Sequence, residues 1–202
     1  MEIRNLPTKY LEIWQKCMPL LMNGRPGDDA HAVEVAEFIL NCGKNDIDLD
    51  ILIPTAIMHD IGHSAILPEH FKYITGQEKV ANGKLVHMLA GAKIAKDVLN
   101  SLKYDTAKTT EIVDIISMHD ADQLEKTDIK KVYNSENKKI FHDIDCMDRY
   151  NAERLKKMSK SFTDKHLMFS ILDNGLKTFF YPEFRKIAES KMEALKSSGI
   201  FS

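Results

Sequence analysis

The stretch ILIPTAIMHDIGH, residues 51–63, is apolar for two helical turns and then places His59, Asp60 and His63 at its end. Asp48 or Asp50 can cap a helix that begins near Ile51, and Pro54 is tolerated in its opening turn. Gly62 is a breaker just past the last apolar residue, so the most charged part of a buried helix lies at its C-terminal end. His63 falls one turn on from His59, on the same face if the helix continues.

Outward from this stretch, apolar residues recur at three- and four-residue intervals, and strict alternation never lasts more than a few residues. The expected fold is therefore all-α, a helical bundle. A first helix is predicted from Thr8 to Leu21, with Leu11, Trp14, Met18 and Leu21 on one face; Pro19 can kink its last turn, and the Asn23, Gly24, Pro26, Gly27 cluster ends it. Asp28 and Asp29 can cap a second helix, which carries His31 in its first turn, continues through Val35, Phe38 and Ile39, and stops at Gly43. Ser64 to Gly83 is mixed in polarity and reads as a connection with short helical pieces, a candidate substrate lid. Further helices are predicted over Leu85–Leu102, Thr106–Met118, Ser135–Met158, Asp164–Leu172 and Pro182–Lys196. No repeat or linker divides the 202 residues, so one domain is expected over 1–202, with C-terminal helices at about 163–197.

The net charge is −2, and Lys and Arg are spread along the chain, which argues against general affinity for nucleic acid or anionic membrane. No apolar run approaches the roughly 18 residues of a membrane span, and MEIRNLPTKY lacks the layout of a signal peptide, so a cytoplasmic protein is expected. Cys17, Cys42 and Cys146 are odd in number, have no C-x-x-C spacing and sit in apolar-periodic stretches; they read as core residues of a reducing compartment.

With eight His and seventeen Asp, roughly 0.7 His-Asp dipeptides would arise by chance. The chain has three: His59-Asp60, His119-Asp120 and His142-Asp143. Any one histidine at a helix end is by default a cap or a surface group; their order together carries more. His31, then His59-Asp60 within MHDIGH, then an Asp within FHDIDCMDRY resembles the H...HD...D signature of the HD-domain superfamily of metal-dependent phosphohydrolases, over roughly Ala30 to Asn151. The resemblance implies a helical bundle around a divalent metal held by His31, His59, Asp60 and a distal Asp. On one helix Asp143 and Asp145 stand about 200° apart whereas Asp145 and Asp148 share a face. The family's frame of ligand Asp, any residue, then an apolar residue fits Asp145-Cys146-Met147, which makes Asp145 the implied ligand and leaves Asp148 to orient a ligand or hold substrate.

His87 in HMLAGAKIAKDVL and His119 in IVDIISMHD resemble the further histidines of the members that bind two metals. The resemblance then implies a second ion held by Asp60, His87 and His119, with Asp60 bridging. Nitrogen and carboxylate ligands suit Fe or Mn foremost, and also Ni, Co, Zn or Mg. Relatives often carry Lys at the position of His63, which leaves its role open between pocket lining and proton transfer; Asp120 and Asp148 are alternative proton carriers. His70, His142 and His166 have no counterpart and read as solvated or structural.

A divalent ion lowers the pKa of a bound water and polarises a phosphoryl oxygen. Arg25, Lys84 and Arg149 are candidate cations for the substrate phosphate. The expected partner is a small phosphorylated substrate, with a nucleotide among the candidates although neither G-x-G-x-x-G nor a P-loop is present. After HDIGH the chain reads SAILPEH, without the Gly-Tyr-Pro extension of the cyclic-di-GMP members. Two other readings share these ligands: a di-iron oxygenase of HD-domain type, and a non-catalytic regulatory module stabilised by metal.

Overall fold

The computed structural model describes residues 2–43, 47–66, 76–124, 127–152, 155 and 165–198. Its helices are α1 (Leu11–Met22), α2 (Asp28–Asn41), α3 (Leu49–Met58), α4 (Gly76–Ser101), α5 (Thr106–Met118), α6 (Ile129–Val132), α7 (Glu136–Met147), α8 (Lys165–Gly175) and α9 (Pro182–Ser197). No strand occurs among the described residues, so the fold is all-α as the periodicity predicts. No described helix is long and apolar enough to cross a membrane.

The chain divides into two compact units, Met1–Lys138 and Lys139–Ser202. In the first, α4 packs along α5 and against the 3-10 turn Ile61–Ala65, α2 packs on α3, and α3 on α5, while α1 closes against α2, α3 and the same turn. The centre of this unit is α3 with the His59-Asp60 pair that follows it, where every residue from Ile51 to Asp60 is buried. Burying Leu52, Ile53, Ile57 and Met58 contributes about 1.5–3 kcal/mol each. Asp48 caps α3 by accepting from the amide of Asp50 at 2.9 Å. Pro54 lies inside α3, where it cannot donate to the carbonyl of Asp50; the hydroxyl of Tyr104 donates to that oxygen instead, at 2.7 Å. Lys9, Tyr10 and Lys108 bind the Asp50 carboxylate, which fastens the entry of α1 and the first turn of α5 to the start of α3.

The structure corrects four expectations. Thr8–Tyr10 is a 3-10 turn, and the buried stripe that it begins runs Tyr10, Ile13, Trp14, Cys17, Leu21; Leu11 is 42% exposed, so the predicted face was about one residue out of phase. Asp28 does not cap α2: Gly27 holds that place in a left-handed conformation, φ 101°, and Asp28 is a buried residue of the first turn. Helix α4 starts at Gly76, well before Leu85, because Gln77, Glu78, Lys79 and Ala81 are good helix formers and one interior glycine costs only about 1 kcal/mol. The C-terminal part of the expected connection is thus helical, and residues 67–75 of the proposed lid lie outside the described residues. Finally, α7 ends at Met147 rather than Met158 and passes through a 3-10 turn, Asp148–Tyr150, to an extended Asn151.

That last break belongs to the second unit and has a tertiary cause. The hydroxyl of Tyr150 donates to the carbonyl of Leu172 in α8 at 2.9 Å, and its ring end lies where a side chain at Gly175 would have to go. In the same unit Asp143 is fully buried on α7 and accepts from the amides of Phe180 and Tyr181, at 3.0 and 2.8 Å, just ahead of α9. His142 donates to it from Nδ1 at 3.0 Å and is itself buried, so the third His-Asp pair is structural.

Candidate metal centre

His59 occupies the C-cap of α3, and Asp60 follows with φ −96° and ψ 0°, turning the chain into Ile61–Ala65. The turn can pass close to α4 because residue 62 is glycine: a Cβ there would strike the carbonyl of His87 and stand 2.5 Å from the amide of Gly91. This contact sets the HD turn against the very turn of α4 that carries His87. His119 occupies the C-cap of α5, whose N-terminus is capped by Asp105 accepting from Lys108 at 2.9 Å. His31 comes from the first turn of α2.

Four elements therefore converge on one carboxylate. Asp60 Oδ2 stands 4.0 Å from His31 Nε2 and 3.5 Å from His59 Nε2; Asp60 Oδ1 stands 3.5, 3.7 and 3.6 Å from Nε2 of His63, His87 and His119. His87 and His119 bring their Nε2 atoms within 3.3 Å of each other. His31, His59, Asp60, His87 and His119 are all buried.

The opposite ring nitrogens settle which atoms face the centre. Nδ1 of His59 lies 2.9 Å from the carbonyl of Ala56, Nδ1 of His119 lies 2.8 Å from that of Ile116, and Nδ1 of His87 lies 3.3 Å from that of Gly83. A carbonyl only accepts, so each Nδ1 carries the proton and each Nε2 presents a lone pair. Lone pairs that converge in a buried space repel unless a cation lies among them. The spacing suits one: ligands about 2.1 Å from a tetrahedral ion stand about 3.4 Å apart. The structure groups His31, His59 and Asp60, then Asp60, His63 and His87, then His87, His119 and Asp120, each set offering ligand atoms within 4.8 Å of one another. Donor chemistry, geometry and burial all fit divalent metal.

The electrostatics agree. Burial, with the neighbouring His119 and His63 as lesser causes, pushes the His87 imidazole down to about 3, so it is neutral and ligand-ready near neutrality. Burial alone would raise the Asp60 carboxyl, but His59, contacts with His119 and His63, and Arg25 outweigh it and hold Asp60 well below the usual range.

A family comparison now decides the assignment: the HD domain matches residues 29–156, well over half of the chain. The chain belongs to the HD-domain family. That family consists mostly of metal-dependent phosphohydrolases, and the His and Asp groups of this HD domain are those of a divalent-metal site. Comparisons with curated proteins and with solved structures return no match.

His63 stacks on His87, ring centroids 4.2 Å apart and 9° from parallel, and no described residue forms a hydrogen bond with its Nε2. Arg25 donates to Asp60 Oδ2 and to Asp28 Oδ1, both at 2.8 Å, while its side chain keeps 46% of its surface exposed. Lys84 reaches Asp120 Oδ2 at 3.5 Å and also Gln123. Asp145, Asp148 and Arg149 lie on α7 and the turn after it, in the second unit; Asp145 and Arg149 are half-buried and Asp148 is buried. His70 lies outside the described residues, and His166 is in α8.

Two residues at this centre escape the sequence reading. Asp28, taken there for a cap, anchors Arg25 through both its guanidinium and its amide, the latter at 2.9 Å; the Arg25/Asp28 spacing of three residues was the available signal. Burial and the neighbouring Asp60 raise the Asp28 carboxyl against the opposing pull of Arg25. Tyr133 donates to the carbonyl of His119 at 2.9 Å and so steadies the end of α5; nothing local to Tyr133 announces that role.

Proposed function

We propose that this HD-domain protein is a metal-dependent phosphohydrolase that cleaves a phosphate ester of a nucleotide or small metabolite. One observation supports the reading above the others: Nε2 lone pairs of buried histidines converge on a buried Asp60 while the half-exposed guanidinium of Arg25 reaches the same carboxylate from solvent. Divalent ions, with Fe or Mn the expected metals, would supply a Lewis acid and an activated water there.

The residues of the chain do the rest. His31, His59 and Asp60 hold one ion, and the order of the motif, rather than any distance, adds Asp145 as its further ligand. Asp60, His87 and His119 hold a second. Arg25 has donors left over after binding Asp28 and Asp60, and with its exposed edge it binds the equatorial oxygens of the phosphoryl group. Lys84, from the neighbouring turn of α4, and Arg149 are further cations for the substrate. His63 borders the centre at 16% side-chain exposure, where it can pass a proton between substrate and solvent; Asp148 is the alternative carrier.

The test is release of alcohol and phosphate from a panel of nucleotides and small esters by protein loaded with Mn or Fe. Turnover abolished by Asp60→Asn supports the proposal. Lack of cleavage of any ester, together with oxygen uptake by the reduced iron form on an organic substrate, replaces it with the oxygenase reading. Inertness in both assays leaves the regulatory module.

A further inference from the structure

The two His-Asp pairs of the first unit are local structural copies of each other. His59 and His119 each follow a Met, occupy a helix C-cap in the right-handed region (φ −60°, ψ −39° and φ −63°, ψ −28°), and bind the carbonyl three residues back through Nδ1. Asp60 and Asp120 then share one backbone conformation, φ −96°, ψ 0° and φ −100°, ψ 20°, and each opens a 3-10 turn. What Asp60 is to His59, Asp120 is to His119. Asp60 lies on the side of the rings where the lone pairs converge, so the copy places a second carboxylate at that side.

The distances agree. Asp120 Oδ2 stands 3.7 Å from His87 Nε2, the same as Asp60 Oδ1. Asp120 thus meets His87 at the nitrogen facing the centre; a carboxylate that merely oriented the ring would sit at Nδ1, which Gly83 already occupies. His87, His119 and Asp120 each offer a ligand atom within 4.8 Å of the others. Charge favours the same arrangement, because two divalent ions sharing Asp60 alone would repel across one negative charge.

We infer that Asp120 is a direct ligand of the second ion, whose seat is His87, His119 and Asp120 with Asp60 shared, and that Lys84 guards this carboxylate when the ion is absent. Lys84 Nζ and Gln123 hold Asp120 from the solvent side, so an incoming ion competes with an ammonium for the same oxygen. The inference rests on the two-ion reading of the site, but on neither the reaction nor the substrate.

The experiment is metal content by mass spectrometry of the full-length protein equilibrated with Mn(II) at graded concentrations, with paramagnetic resonance to detect coupled pairs of Mn ions. Wild type is expected to hold two equivalents with a coupled signal. Asp120→Asn keeps the shape and the fold but should lose the second equivalent, its affinity falling at least tenfold, and leave a single uncoupled Mn at the first seat. Lys84→Met should tighten the second ion several-fold. Asp120→Asn that retains two coupled equivalents at unchanged affinity overturns the inference, as does wild type that never exceeds one. Loss of both ions from Asp120→Asn, with a lowered metal-free melting temperature, also overturns it and makes Asp120 a structural residue. Loss of the second ion in a protein inert toward every ester upholds the inference and removes only the hydrolase reading.

Discussion

Gly62 lies directly against the main chain of His87. The hydrogen that replaces its side chain is the reason the turn after Asp60 can press on α4 beside the amide of Gly91.

Gly62→Ala is therefore expected to separate the HD turn from α4. The obstacle is backbone, which cannot rotate aside, so the cost should reach or exceed the roughly 1–3 kcal/mol of an overpacked core site. Thermal melting and Mn titration of one preparation check it. A variant that melts within 1 °C or so of wild type and binds metal equally well would show that the contact is soft.

Metal-free protein should lose stability on acidification through a window set by His87. Burial holds the folded imidazole at about 3, against about 6.5 unfolded, so between these values the unfolded chain binds a proton that the folded chain does not. The sign follows: stability rises with pH across that window and is lost as pH falls through it. Melting of the chelator-treated protein from pH 7 downward measures the slope, and His87→Phe should flatten it. An unchanged slope in that variant would assign the acid sensitivity to other groups.

Asp143 and Asp145 should fail differently. Asp143→Ala strips the half-buried amides of Phe180 and Tyr181 of their acceptor, at no more than the roughly 1–3 kcal/mol of a fully buried group left unsatisfied, and should lower the melting temperature without removing a ligand. Asp145→Ala should spare the fold and cost first-site metal. Equal loss of metal from both, at equal stability, would mean that the motif has been aligned to the wrong aspartate.

Arg25 and Asp28 should act as a unit on turnover. Arg25→Ala is expected to lower kcat/KM for a cleaved ester by about 100-fold, the scale for removing one donor aimed at developing charge. Asp28→Asn, which keeps the guanidinium but loosens its anchor, should cost less and mostly in kcat. Unchanged kcat/KM in Arg25→Ala would reassign the phosphate to Lys84 or Arg149.

Much of this protein is legible locally. Helix period, the Asp48 cap, the breaker at Gly62 and the order His31, His59-Asp60, His87, His119 all depend on neighbours within a turn or two, so the all-α class, α3, α5 and the histidines that meet at Asp60 could be read from residues alone. At two of the places where the sequence reading departed from the structure, the deciding partner lies far along the chain. No Gly or Pro marks the end of α7; Tyr150 turns the chain there by bonding to Leu172. Asp28 looks like a cap and becomes the anchor of Arg25, because Gly27 takes the cap and the loop folds Arg25 back toward Asp60. The second His-Asp pair reads as a ligand followed by a candidate proton carrier until α4 brings Lys84 and His87 to Asp120. Periodicity decides which residues face inward on a helix, but only packing decides which inward-facing groups meet, and at a buried centre it is the meeting that makes the chemistry.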